Sequence, residues 1–188
     1  VVPALKVDGK YGYMDRTGKL AIAPQFDAAT VFAEGLASIR IGSRWGFIDV
    51  HGEIIATPQF EEVSAFSEGR AAVRVGTKFG YVDTKGRIVI VPQFDEVTQF
   101  RQGRATVKTC CGRNWGWSDG SIGHRGPNRY GIIDMAGRFV GPTGLLFVPF
   151  FRPEAGTSAA IPVRTADDQI GVIDDMGDFV IAVEVDEL

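Results

Sequence analysis

Arg44-Trp45-Gly46-Phe47-Ile48-Asp49-Val50-His51-Gly52 decides the fold. Trp45 and Phe47 project to one side of a strand, and the Asp-x-x-Gly tetrad that closes the stretch fits a type I turn. Asp49 caps the turn backbone and Gly52 supplies the left-handed residue. The pattern recurs one step of 34 residues upstream as Tyr11-Gly12-Tyr13-Met14-Asp15, and one step downstream as Phe79-Gly80-Tyr81-Val82-Asp83. Pro24-Gln25-Phe26, Pro58-Gln59-Phe60 and Pro92-Gln93-Phe94 keep the same step, as do Glu34-Gly35, Glu68-Gly69 and Gln102-Gly103. Two looser copies follow, Tyr130-Gly131-Ile132-Ile133-Asp134 and Ile170-Gly171-Val172-Ile173-Asp174, after steps of 51 and 40. The chain reads as a single array over 1–188 with five copies, at about 4–35, 36–69, 70–103, 104–160 and 161–188. That leaves no room for a separate catalytic domain.

Within a copy, each turn is followed by an apolar run, such as Ile54-Ile55-Ala56 or Ile88-Val89-Ile90-Val91, stopped by a Pro that cannot donate to a central ladder. Apolar residues on both sides of this run predict cover on both faces. A bend such as Phe66-Ser67-Glu68-Gly69 then leads into an alternating strand such as Ala71–Val75. No window has helical periodicity. The reading is an all-β repeat protein with about three short strands per copy, built as an open, solenoid-like stack of antiparallel hairpin units. A five-bladed, propeller-like ring is the alternative, weakened because four-stranded blades usually take about 40 to 45 residues.

The 188 residues include 45% apolar side chains, 24 Gly, and 23 acidic against 20 basic groups for a net charge of −3. Disorder and collagen are excluded, and the charge balance gives no long-range attraction for nucleic acid or anionic membranes. No stretch approaches the ~18 uninterrupted apolar residues of a membrane span. Val1 stands where an initiating Met would, so a processed or trimmed form is expected and the compartment is unreadable.

These residues resemble the WG (KWG) repeat family of mostly bacterial proteins. The resemblance rests on Arg44-Trp45-Gly46-Phe47-Ile48-Asp49, the Asp-x-x-Gly turn, the Pro-Gln-Phe-Asp/Glu step and the Phe-x-Glu-Gly bend, and runs from about residue 4 to 181. One slot in five keeps Trp, the fifth has Ile170, and the Pro-Gln-Phe step is rewritten in the fourth copy and lost in the fifth. The resemblance implies an interaction or surface module with no common chemistry.

Repetition creates columns. Lys6, Arg40, Arg74, Lys108 and Arg164 share one slot, and Lys10, Arg44 and Lys78 a second slot four residues later. Stacked, they form a basic stripe, either a binding ridge for anions or a solvated, internally paired face; the acidic total favours the second. With a two-residue turn, Arg40 lies opposite Trp45 and Arg74 opposite Phe79, in cation–π range; a three-residue turn breaks that pairing. Arg40, Arg44, Trp45, Arg74 and Lys78 are the stripe's candidate contact residues. Tyr11/Tyr13 and Trp45/Phe47 are either sugar-stacking shelves or, as large aromatics in short strands favour, core. The repeated Asp of the turns needs no metal to explain it.

Where repetition breaks, stacking no longer dictates the residues. The insert 110–127 carries Arg113, Trp115, Trp117, His124 and Arg125, residue types that dominate contact hot spots, and these are the candidate partner-binding residues. An inert insert, or a decayed WG copy at Trp115-Gly116-Trp117, are the competing readings. Zinc on Cys110, Cys111 and His124 would lack a fourth ligand and the usual spacing. The apolar stretch Gly141–Phe151 either plugs the stack or recruits a partner. With His51 inside a turn and His124 in the insert, no catalytic pair is suggested by position, and no phosphate-binding glycine loop appears. The expectation is a non-enzymatic scaffold for protein–protein interaction, without metal or cofactor. A glycan- or cell-surface-binding module is the alternative.

Overall fold

The computed structural model describes residues 2–7, 9–109, 129–145, 161–164, 170–173 and 179–183. The chain divides into two compact units, Val1–Pro92 and Gln93–Leu188. In the first, β1 (Val2–Val7), β2 (Lys10–Met14) and β3 (Leu20–Phe26) form one sheet, and β4 (Ala28–Ala29), β5 (Leu36–Ile41), β6 (Arg44–Asp49) and β7 (Ile54–Phe60) the next. A further sheet holds β8 (Glu62–Val63), β9 (Arg70–Val75), β10 (Lys78–Asp83) and β11 (Ile88–Phe94), the strand in which the unit boundary falls. The second unit contains β12 (Glu96–Val97), β13 (Arg104–Thr109), β14 (Arg129–Asp134) and β15 (Phe139–Leu145) as one sheet, and β16 (Ile161–Arg164), β17 (Ile170–Ile173) and β18 (Phe179–Val183) as another. Strands lie side by side in chain order and pair antiparallel, and there is no helix among the described residues.

The short strands β4, β8 and β12 add a fourth strand to the expected three. Each is prolonged by a hydroxyl: Thr30 N donates to the Ser38 carbonyl at 3.0 Å, and Thr30 Oγ1 accepts from Ser38 N at 3.0 Å. Ser64 and Thr98 repeat this against Ala72 and Thr106. A side-chain oxygen thus occupies an acceptor place in the ladder, and the sheet formed by β4–β7 runs from Ala28 to Phe60, out of phase with the period counted at residue 36.

Between β4 and β5 the chain reverses through Ala33-Glu34-Gly35-Leu36, whose outer residues exchange both backbone hydrogen bonds, at 2.8 and 3.0 Å. Glu34 and Gly35 have φ of 52° and 80°, so both central residues are left-handed, as a type I′ hairpin requires. Glutamate is unusual there. Its carboxylate also reaches beyond its own turn, accepting the N–H groups of Glu68 and Gly69, at 2.7 and 2.8 Å, in the equivalent turn of the following sheet. The Asp-x-x-Gly turns form as expected in the four described copies. Gly N–H groups donate to the carbonyls of Asp15, Asp49, Asp83 and Asp134, each carboxylate accepts two further backbone N–H groups, and the four glycines have φ between 74° and 86°.

The core of the first unit lies between sheets. Tyr13, Ile22 and Phe26 pack against Ala37, Ile39 and Ile48 on one face of the β4–β7 sheet. Leu36, Phe47, Ala56 and Phe60 pack on Ala71, Val73 and Val82 from its other face. In the second unit Ile132, Val163 and Ile173 join the two sheets in the same way. Cover on both faces therefore belongs to the middle strands. The expectation that the apolar runs after the turns are covered on both faces is corrected: Ala56 and Ile90 are buried, whereas Ile54, Ile88, Val89 and Val91 are exposed. β7 and β11 are edge strands, so their apolar residues lack a neighbour on one side.

The same edge strand explains the glycine of the motif. Trp45 pairs with Phe60 but Phe47 with Ala56, so three residues, Thr57-Pro58-Gln59, bulge past Gly46. A Cβ on Gly46 would lie 2.4 Å from the Ala56 carbonyl oxygen and 2.8 Å from Pro58 N. Gly12 and Gly80 are in the same position against Pro24 and Pro92. The Trp-Gly and Pro-Gln-Phe signatures are thus two halves of one contact.

Candidate functional site

The rims of the hairpins carry the charged and aromatic columns. In β5–β6, Ile41 pairs with Arg44 and Arg40 with Trp45, leaving a two-residue loop, Gly42-Ser43. In β9–β10, Val75 pairs with Lys78 and Arg74 with Phe79 around Gly76-Thr77. Gly42 and Gly76, at φ of 61° and 63°, supply the left-handed conformation of these turns. The two-residue register puts each cation beside its ring. The Arg40 guanidinium carbon is 5.8 Å from the Trp45 ring centre, and that of Arg74 is 5.9 Å from the Phe79 centre, both within cation–π reach.

Carboxylates meet most of these cations. Asp27 accepts from Lys10 Nζ at 2.5 Å through Oδ1 and from the Gly42 N–H at 2.7 Å through Oδ2. Glu61 repeats the arrangement one step later, pairing with Arg44 Nη1 through Oε1 and capping Gly76 N–H at 3.1 Å through Oε2. Arg44 Nη1 also donates to the Gln59 carbonyl. The Lys10 ammonium, with the Gly42 N–H, holds the Asp27 carboxyl below the usual carboxylate range, and the Arg44 guanidinium does the same for Glu61. A second carboxylate column stands on the short strands: Glu62 faces Arg74, with Oε2 3.2 Å from Nε, and Glu96 faces Lys108, with Oε1 2.5 Å from Nζ. Lys78 is not free either. Arg40 differs, because Ala28 occupies the place of Glu62 and Glu96. The Pro-Gln-Phe-Asp/Glu step already contains Asp27, Glu61 and Asp95, but sequence reasoning did not match them, or Glu62 and Glu96, to particular cations of the basic slots.

The aromatic columns separate by depth. Tyr13, Phe47 and Tyr81 are fully buried, and Tyr11, Trp45 and Phe79 are half-buried at the rim. Burial pushes the Tyr13 hydroxyl, which donates to the Thr30 carbonyl at 3.0 Å, up to about 12 and raises that of Tyr81 as well. Trp45 packs against the Phe47 cluster, with Arg40 over its ring.

Arg113, Trp115, Trp117, His124 and Arg125 lie outside the described residues, as do Cys110 and Cys111. The turn carboxylates of Asp15, Asp49, Asp83 and Asp134 are occupied by their own backbones. Among the described residues no group of three or more His, Cys, Asp or Glu converges to hold a metal. No helix among them is long and apolar enough to cross a membrane.

These features define an all-β protein of repeated antiparallel hairpin sheets. The profile of the "WG containing repeat" matches residues 11–45, 45–78 and 79–109, and the chain belongs to that family. No curated protein matches it. One similar solved structure is a protein of unknown function from Bacteroides caccae, 14% identical, with 93% of this chain and 74% of that one covered at a TM-score of 0.34.

Proposed function

We propose that the chain is a non-enzymatic repeat scaffold whose hairpin rims and edge strands contact a protein partner. The observation that carries this reading is a column of exposed apolar residues at a constant step. Leu20, Ile54 and Ile88 start β3, β7 and β11 and are 46%, 55% and 47% exposed. Ile41 and Val75 are exposed beside the two-residue turns, next to Arg44 and Lys78. Single exposed apolar residues are ordinary, but sheet stacking aligns these into a ridge of the kind that marks contact surfaces. The glycan alternative needs an open ring face; Tyr13, Phe47 and Tyr81 offer none, Trp45 is half-buried with Arg40 over its ring, and Trp115 lies outside the described residues.

Affinity capture from the source cells tests the proposal, comparing the wild type, an Ile54→Glu/Ile88→Glu variant and a chain lacking residues 111–127, each checked for folding by circular dichroism. A protein held by the wild type and lost by the folded Ile54→Glu/Ile88→Glu variant supports the ridge. Loss confined to the deletion moves the contact to the insert. If no version holds a protein, the scaffold reading falls.

A further inference from the structure

We infer that the rim beside Ala28 is a carboxylate-binding site, in which the Arg40 guanidinium, seated on the Trp45 ring, takes an acidic side chain from outside the sheet. Three register-matched rows carry the argument. One reads Glu62, Arg74, Phe79 and another Glu96, Lys108, Tyr130, each with its carboxylate directly opposite the cation on the short strand. The third reads Ala28, Arg40, Trp45. It keeps the cation and has the family's Trp as the ring, but a methyl group replaces the carboxylate arm.

Among the described side chains of its column, Arg40 is consequently the exception. Its Nε is buried and has no hydrogen-bond acceptor, and among the described residues it forms no ion pair. Arg74 Nε also lacks a well-directed hydrogen bond, but there Glu62 stands 3.2 Å away and balances the charge. Asp27 neighbours Arg40 and feels its charge, yet both Asp27 oxygens are engaged, one by Lys10 and the other by the Gly42 N–H. A buried guanidinium donor left without an acceptor is costly, and the ring beneath it supplies attraction but no hydrogen bond. A planar, permanently charged fork held on an indole is preorganised for a carboxylate, which can accept two parallel N–H groups.

β4, which carries Ala28, is an outer strand of its sheet, so an incoming residue reaches the vacant place from the side. The chemistry of the site stands on this geometry. Only the assignment of the carboxylate to a Glu or Asp of a protein partner rests on the scaffold reading.

The test is a side-chain NMR titration of the ¹⁵N-labelled full chain with sodium acetate and with N-acetyl-glutamate amide, at constant ionic strength. The expected result is a saturable shift of the Arg40 Nε–H and Trp45 Nε1–H signals with no comparable shift at Arg74. Ala28→Glu should abolish the response, because the new carboxylate fills the place as Glu62 does, and should move the Arg40 signal in the direction the probe does. Arg40→Met should remove the Trp45 response, and this variant keeps the test open if Ala28→Glu folds poorly. The inference is overturned if Arg40 does not respond, if Arg74 responds equally, or if folded Ala28→Glu titrates like the wild type. A positive titration without partner capture would sink the scaffold and leave the site; capture without titration would do the reverse.

Discussion

Gly46 and Gly131 hold the same place in two copies of the repeat and are glycine for different reasons. Beside Gly46 stands backbone, the Ala56 carbonyl at 2.4 Å and Pro58 N at 2.8 Å from where a Cβ would be. Beside Gly131 stands the ring of Phe139, 2.6 Å from the same point, on a residue that is 46% exposed. Backbone in a paired strand cannot step aside, whereas a half-exposed ring can turn. In the fourth copy the bulge persists with four residues, Gly141-Pro142-Thr143-Gly144, between the Val140–Ile132 and Leu145–Tyr130 pairs, and its motif glycine meets the Phe139 ring instead of backbone.

Substitution should expose this difference. Gly46→Ala is expected to destabilise the chain by about 3 kcal/mol in urea unfolding, the upper end for overpacking, because the bulge must shift to admit the methyl. A cost no larger than that of an exposed surface change would break the comparison. Glu34→Gln comes next, at about 1 kcal/mol, since it weakens a charge-assisted grip on two N–H groups without altering shape. An unchanged unfolding midpoint would show that the link from Glu34 to the next turn carries no stability.

The turn acids give a smaller, pH-dependent effect. Burial opposes ionisation of Asp83, but the Arg87 guanidinium and the Arg87 and Lys85 N–H groups outweigh it and hold the carboxyl low. The N–H of Arg138 leads the same outcome at Asp134, against a smaller opposition from burial. Carboxyls depressed in the folded state stabilise it above the ordinary value of about 3.9 and lose that contribution as pH falls through their folded values. Wild-type stability should therefore decline below about pH 4, and Asp83→Asn should flatten the acid limb of a pH-dependent unfolding series. The smallest effect is Gly131→Ala, expected within about 1 kcal/mol of wild type because the Phe139 ring can give and the unfolded chain loses entropy. A loss equal to that of Gly46→Ala would show the ring to be as immovable as backbone.

Much of the fold was legible because it is written three times. The Asp-x-x-Gly turns, the alternating strands and the antiparallel class follow from residues such as Asp49, Gly52 and Phe47, whose spacing has one economical reading. The exposure of Ile54 and Ile88 was not legible, since apolar composition does not say whether a strand is central or at an edge. The two-residue strands at Ala28 and Glu62 were hidden because a Thr or Ser hydroxyl completes their ladders, which no hydrophobic period reports. At the rim, the two-residue turn was one of two open readings, and the Glu61–Arg44 pair escaped because it joins residues 17 apart across a bulge. Arg40 stands out only when Ala28 is set beside Glu62, a comparison that needs strand register as well as the repeat.

Glu34 spends its carboxylate on the turn of the following sheet, while Asp27 and Glu61 cap the hairpin of the sheet they enter and hold Lys10 and Arg44 of the sheet before. In the first unit, then, the β4–β7 sheet is held to the one before through Lys10 and to the one after through Glu34 and Arg44. Within that unit, a change of length by a whole step of 34 residues keeps these pairs matched. Cuts of other lengths within this unit leave a carboxylate and a turn unmatched. The unit of heritable change is therefore the joint between sheets, carried as a matched pair, and not the single sheet.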